Sequence, residues 1–141
     1  MTVIVQNSLD VIISLDNVDD IKGEEMFALA DALDGYEVEK GIEDKIVIDI
    51  VEISSAGVFA VHVIPKQLMT YSEIMSYIDD MVKTALKRDE IVAKSYSVKK
   101  VLFRTREPGK PSETVADIEE IKAKVDALWK DYRKEDMKSY V

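Results

Sequence analysis

The sequence predicts an α+β fold built on an antiparallel sheet, and three observations predict it. Two β-branched arms, Ile46 to Ile53 and Val58 to Ile64, flank a polar turn at Ser54, Ser55, Ala56 and Gly57, the pattern of a hairpin. Apolar residues recur at helical spacing on either side of it, from Glu24 to Asp34 and from Thr70 to Leu86. Strand-like segments, Leu9 to Leu15 and Val98 to Arg104, stand outside both helices. A chain of 141 residues, 47% hydrophobic and 33% charged, is long enough for one core and too apolar for general disorder.

The elements follow in order. Leu9 to Leu15 alternates, placing Val11, Ile13 and Leu15 on a core face, with Val3 to Val5 as a lead-in strand beyond Gln6, Asn7 and Ser8. Asp16, Asn17, Asp19 and Asp20 end that strand and offer capping oxygens to the first helix, Glu24 to Asp34. Its apolar face is read as Met26, Phe27, Ala30 and Leu33, with Gly35 as the stop. Tyr36 to Asp44 reads as an acidic connection broken at Gly41, with a short extended piece at Tyr36 to Val38.

In the hairpin, Ile46, Ile48 and Ile50 share one face, and Val47, Asp49, Val51 and Ile53 the other. On the second arm Phe59, Val61 and Val63 oppose Val58, Ala60, His62 and Ile64. A loop of two or four residues sets the isoleucines against Phe59, Val61 and Val63, a wholly apolar face that must be core. Pro65 ends the arm. Thr70 to Glu73 spells a capping box, and Ile74, Ile78, Met81, Val82, Ala85 and Leu86 form the stripe of the second helix. Lys87 and Arg88 then sit where a helix C-terminus favours cations. Asp89 to Ser95 fits either a helix extension or an extended segment. Val98 to Arg104 is the fourth strand, with Val101 and Phe103 on one face and Val98 and Leu102 on the other.

Glu107 to Ser112 holds two prolines and a glycine, so a linker is expected at 107–112. Ser112 is expected to cap a final helix over 113–134, in which Ile118, Ile121, Val125, Leu128 and Tyr132 keep a three-four spacing and Val115 and Trp129 widen the stripe. Residues 135–141 are expected to fray. The order over 1–106 is that of a ferredoxin-like β-α-β-β-α-β sandwich, with the amphipathic C-terminal helix appended. In that layout both helices lie on one face, and the other carries Val47, Val51, Val58 and Ile64. Such a face is too apolar to be left to water, so the last helix or a second molecule is expected to cover it.

Composition narrows the function. Without cysteine the chain has no disulfide, thiolate metal site or cysteine nucleophile, and it suits a reducing cytoplasm. The opening MTVIVQNSLD lacks the basic start and apolar length of a secretory leader, and no apolar run approaches membrane-spanning length. None of the five glycines stands in a phosphate-cradling array, so no nucleotide cofactor is expected. The acidic cluster Asp16, Asp19, Asp20, Glu24 and Glu25 lacks calcium-loop spacing, and a single histidine disfavours zinc.

The net charge of −9 disfavours nucleic acid as a partner. Its distribution is polarised: residues 1–44 hold 12 acids and 2 bases, whereas 94–110 hold six bases and one acid. Within that basic run Lys99, Lys100, Arg104 and Arg106 are candidates for an anionic small ligand. Stacking of RNA bases is not expected, because Phe59, the lone aromatic of the hairpin, points to the core.

Asp49 and His62 are the sharpest candidate pair, directly opposed if the hairpin loop has four residues. A carboxylate that orients an imidazole is the beginning of general-base chemistry, although neither arm offers a nucleophile on that face. The sequence therefore points to a non-enzymatic module that self-associates or binds a protein. Its surface would combine Val47, Val51, Val58 and Ile64 with the helical Ile118, Ile121, Val125, Leu128, Trp129 and Tyr132. The alternative is a small enzyme or metabolite-binding regulator with a pocket between sheet face and last helix, using Asp49 and His62.

Overall fold

The computed structural model describes residues 6–67, 69–106 and 113–127, excluding the side chains of residues 6, 7, 105, 106 and 113. In chain order the elements are β1 (Gln6–Leu15), α1 (Glu24–Asp34), α2 (Tyr36–Lys40), β2 (Ile46–Val51), β3 (Val58–Pro65), α3 (Tyr71–Leu86), β4 (Tyr96–Arg106), β5 (Glu113–Val115) and α4 (118–127). The five strands form one antiparallel sheet in the order β2-β3-β1-β4-β5. The fold is α+β.

Alternation along β1 divides the sheet into two faces. Leu9, Val11, Ile13 and Leu15 are at most 3% exposed. They stand beside Val63, Val61 and Phe59 of β3 and Phe103 and Val101 of β4, all buried. Against this inner face lie Ala28, Leu29 and Leu33 of α1 and Ile74, Ile78, Met81, Val82, Ala85 and Leu86 of α3, in one continuous core. Each large aliphatic side chain so buried stabilises the fold by about 1.5–3 kcal/mol.

The hairpin loop has the four-residue register. Asp49 pairs with His62, Ile48 with Val63, Ile50 with Val61 and Ile46 with Pro65, which leaves Phe59 beyond the last isoleucine pair. Ser54 O accepts from Gly57 N, and Gly57 takes a φ of 78°, where an added Cβ would stand 3.3 Å from the Leu15, Val18 and Ile21 side chains. A side chain there would be strained by the backbone and crowded by all three neighbours. β2 stops at Val51 rather than Ile53, because Glu52 adopts a φ of 43° and turns Ile53 from the outer face towards the core.

Other local expectations are corrected. Gln6, Asn7 and Ser8 belong to β1, paired with β4, while Val3 to Val5 lie outside the described residues. The buried stripe of α1 is Ala28, Leu29 and Leu33, and Phe27 is 74% exposed. The stripe runs on through Gly35 to the buried Tyr36, and a helix face read as ending at Gly35 misses that continuation. Residues 36–40 are accordingly helical rather than extended. The residue before α1 is Gly23, without a side-chain cap, because Asp16 instead accepts from Ser95 and Ser97 hydroxyls at 2.8 and 2.9 Å.

The final helix starts later than the periodicity implies. Residues 113–115 form β5 on the free edge of β4, pairing Val115 with Phe103. Asp117 accepts from Glu120 N at 3.0 Å where α4 begins, and Ser112, the expected cap, lies outside the described residues. Backbone groups on an otherwise open strand edge outweigh the weak helical preference of three residues that include Thr114 and Val115. The expected linker 107–112, the helical residues Leu128, Trp129 and Tyr132, and the tail 135–141 lie outside the described residues.

Candidate functional site

The outer face of the sheet collects half of the residues singled out from sequence. Registers across β2, β3, β1 and β4 arrange them in rows. One row runs Asp49, His62, Asp10, Leu102; beyond it on one side Val47 pairs with Ile64 and Ser8 with Arg104; and on the other side the row runs Val51, Ala60, Ile12, Lys100. Val51 is 45% exposed and Ile64 38%, while Val47, Val58 and Ala60 are half-buried.

His62 takes its partner from β1 rather than β2. Its Nδ1 donates to Asp10 Oδ1 at 2.6 Å, and Arg104 Nε lies 3.4 Å from the other Asp10 oxygen. Asp49 sits opposite His62 in register, but its side chain is exposed and makes no hydrogen bond or ion pair among the described residues. The expected Asp49–His62 contact is thus replaced by an Arg104–Asp10–His62 chain crossing three strands. Geometry explains the choice: β3 has a neighbour on each side, and Asp10 has its second oxygen neutralised by Arg104, which suits a carboxylate only 15% exposed.

Asp10 was visible in the sequence only as an acid at an outward position between the core residues Leu9 and Val11. Its partner is 52 residues away, and nothing local names it.

Chemically, a carboxylate on Nδ1 directs the other ring nitrogen of His62 away from its partner, as in a general base. β1 adds Ser8 and Ser14 to this face, but the only hydrogen bond of the His62 side chain among the described residues is to Asp10. Lys99 and Lys100 are exposed near the β-bulge where the β1–β4 register shifts. Arg104 is engaged with Asp10, and the Arg106 side chain lies outside the described residues.

The described turns of α4 do not lie over this face. Ile121 and Val125 join the inner core, and Asp126 Oδ1 accepts from Tyr71 N at 3.0 Å at the start of α3. Ile118 is 47% exposed. A pocket between outer face and last helix is therefore not formed by the described residues. A shallow groove does exist elsewhere, lined by Gly23, Glu24, Phe27, Ala28, Arg88 and Glu90. Arg88 crosses it to reach Asp31 at 2.9 Å and the Ala28 carbonyl at 3.4 Å.

Two tyrosine–aspartate pairs brace the opposite layer. Tyr36 Oη donates to Asp80 at 2.5 Å, and Tyr96 Oη donates to Asp79, joining α2 and β4 to adjacent residues of α3. Burial first, then the neighbouring carboxylate, pushes both phenols well above the usual tyrosine value. The Asp79 carboxyl is held below its ordinary value, chiefly by the Tyr96 hydrogen bond and then by Lys83, against the opposing effect of burial.

No family model matches the chain, and no curated protein matches it. Among solved structures, the chain is similar to one from a Csm3-Csm4 subcomplex of the type III-A CRISPR-Cas interference complex, at 12% identity and a TM-score of 0.41, covering 92% of this chain and 100% of that one. A phage SAM lyase in its apo state aligns over 81% and 91% of the two chains, at 11% identity and a TM-score of 0.31. A phage SAM lyase in complex with S-methyl-5'-thioadenosine aligns over 79% and 90%, at 14% identity and a TM-score of 0.31. Likeness at this level carries no argument about function.

Proposed function

We propose that this chain is a non-enzymatic assembly module of ferredoxin-like layout whose outer sheet face docks a second copy of itself. The layout is supported by the order β2-β3-β1-β4, with α1 and α3 packed on one side. The observation that carries the function is the state of the outer face. Exposed valine and isoleucine surround a charged centre, and Arg104, Asp10 and His62 there already satisfy one another. Charges paired within one molecule are less costly to cover than unpaired ones, so the apolar rows remain free to drive docking. Of the helical stripe, Ile121 and Val125 are core, so the reading rests on the sheet. Lack of cysteine suits assembly in a reducing compartment such as the cytoplasm.

The test is light scattering after size exclusion across a concentration series. The wild type is expected to dimerise reversibly at tens of micromolar, and Ile64→Glu to remain monomeric, with a melting curve that matches the wild type's at concentrations low enough for both to be monomers. A wild type that stays monomeric at every concentration overturns the reading.

The Asp10–His62 contact favours one other reading, an acid–base enzyme in which Asp10 positions His62. That reading predicts hydrolytic or lyase turnover in a substrate screen, lost in His62→Gln and displaced in pH profile by Asp10→Asn. Inactivity across the screen removes it.

A further inference from the structure

The charges on the outer face select how two copies would stack, and we infer that the two-fold axis runs parallel to the strands, between β3 and β1. The inference rests on the proposed function and specifies its partner surface. Two sheets can pack face to face about a two-fold lying in the plane between them, directed either along the strands or across them. An axis along the strands exchanges left and right, laying β2 on the partner's β4 and β3 on the partner's β1. An axis across the strands keeps every strand over its own copy.

The row arrangement distinguishes the two. With the axis along the strands, Asp49 falls over the partner's Leu102, flanked by the partner's Lys100 and the partner's Arg104 about 6.8 Å to either side. Val51 and Val47 then face the aliphatic stems of those two cations, whose heads can reach the carboxylate between them. His62 falls over the partner's Asp10. With the axis across the strands, Asp49 meets the partner's Asp49, and Lys100 meets the partner's Arg104. Every charged position would then meet its own sign, which disfavours that packing.

Asp49 is exposed and lacks any ion pair among the described residues, and so is Lys100, as halves of an intermolecular pair would be in the separated molecule. Four strands about 4.8 Å apart offer a projected face of roughly 400 Å², small beside the about 800 Å² per partner of a standard interface. A reversible, concentration-dependent dimer is the expected product.

The experiment uses wild type, Asp49→Lys, Lys100→Glu and an equimolar mixture of the two variants, each followed by light scattering and native mass spectrometry. Each variant alone is expected to weaken dimerisation about tenfold or more, because each places like charges at both symmetric contacts. The mixture is expected to recover dimers that contain one copy of each. In such a dimer the lysine introduced in one copy faces the glutamate introduced in the other, and the native pair survives at the second contact. Recovery in the mixture also shows that both variants are folded. Dimers of unchanged strength in both variants, or a mixture that does not recover, overturn the axis while leaving the dimer standing. Asp49→Lys is also mixed with wild type, and mixed dimers stronger than those of wild type alone would indicate the axis across the strands and overturn the inference as well. A monomeric wild type removes the underlying reading itself.

Discussion

The two faces of strands β2, β3, β1 and β4 carry nearly the same residue types, yet they have opposite states. Leu9, Val11, Ile13 and Leu15 of β1 are sealed under α1 and α3, and Ser8, Asp10, Ile12 and Ser14, only a rise of about 3.4 Å away, stand on a face the described helices leave open. Hydrophobicity alone does not separate them, because Val47, Val51, Val58 and Ile64 are as apolar as many inner residues. What separates them is the polar content of the central row: Asp10, His62 and Asp49 all fall on one side. Asp49 has no side-chain partner on this face among the described residues, and burying it under an apolar helix stripe would leave a charge unsatisfied, so the helices take the other face.

The comparison can be broken most severely on the inner face. Phe59→Ala removes a fully buried ring between β1 and the helices and is expected to destabilise the fold by about 3–5 kcal/mol in chemical denaturation. Val51→Thr on the outer face is expected to move the monomer's stability by less than about 0.5 kcal/mol. Similar losses for the two would contradict the division into closed and open faces.

Gly57→Ala is expected to cost about 1–2 kcal/mol, because it forces a side chain into the left-handed region and against Leu15, Val18 and Ile21. Asp10→Ala tests the centre of the outer face. It leaves His62 and Arg104 without their shared acceptor and is expected to cost about 1–2 kcal/mol, more than the neighbouring Val51→Thr. A loss no larger than that of Val51→Thr would show that the charged chain is not part of what holds the strands together.

The smallest effects are read through pH. Tyr36 and Tyr96 have folded values above their unfolded value of 10.0, so their contribution is whole below about pH 10 and is lost as pH rises beyond it. Asp79 has a folded value below its unfolded 3.8, so its contribution is present above about pH 4 and is lost as pH falls through the folded value. Tyr96→Phe should therefore flatten stability curves at both extremes while costing about 1 kcal/mol near neutrality. Curves unchanged in shape would separate these pairs from the pH response.

Much of this molecule follows from local pattern. The hairpin, the span of α1, the capped start and buried stripe of α3, and the inward faces of β1 and β4 are legible because alternation and helical spacing act over a few residues, whereas the choice of a four-residue over a two-residue loop came from the strand pairing. The Asp10–His62 contact was not legible, since it joins residues 52 apart through a strand pairing that no local signal names. The same holds for β5, where three residues with a helical context took the open edge of β4, and for Phe27, whose helix turns its other side to the core. Periodicity determined which residues share a face; only the packing of distant strands and helices decided which face closes, because burial and charge pairing are settled between elements and not within them.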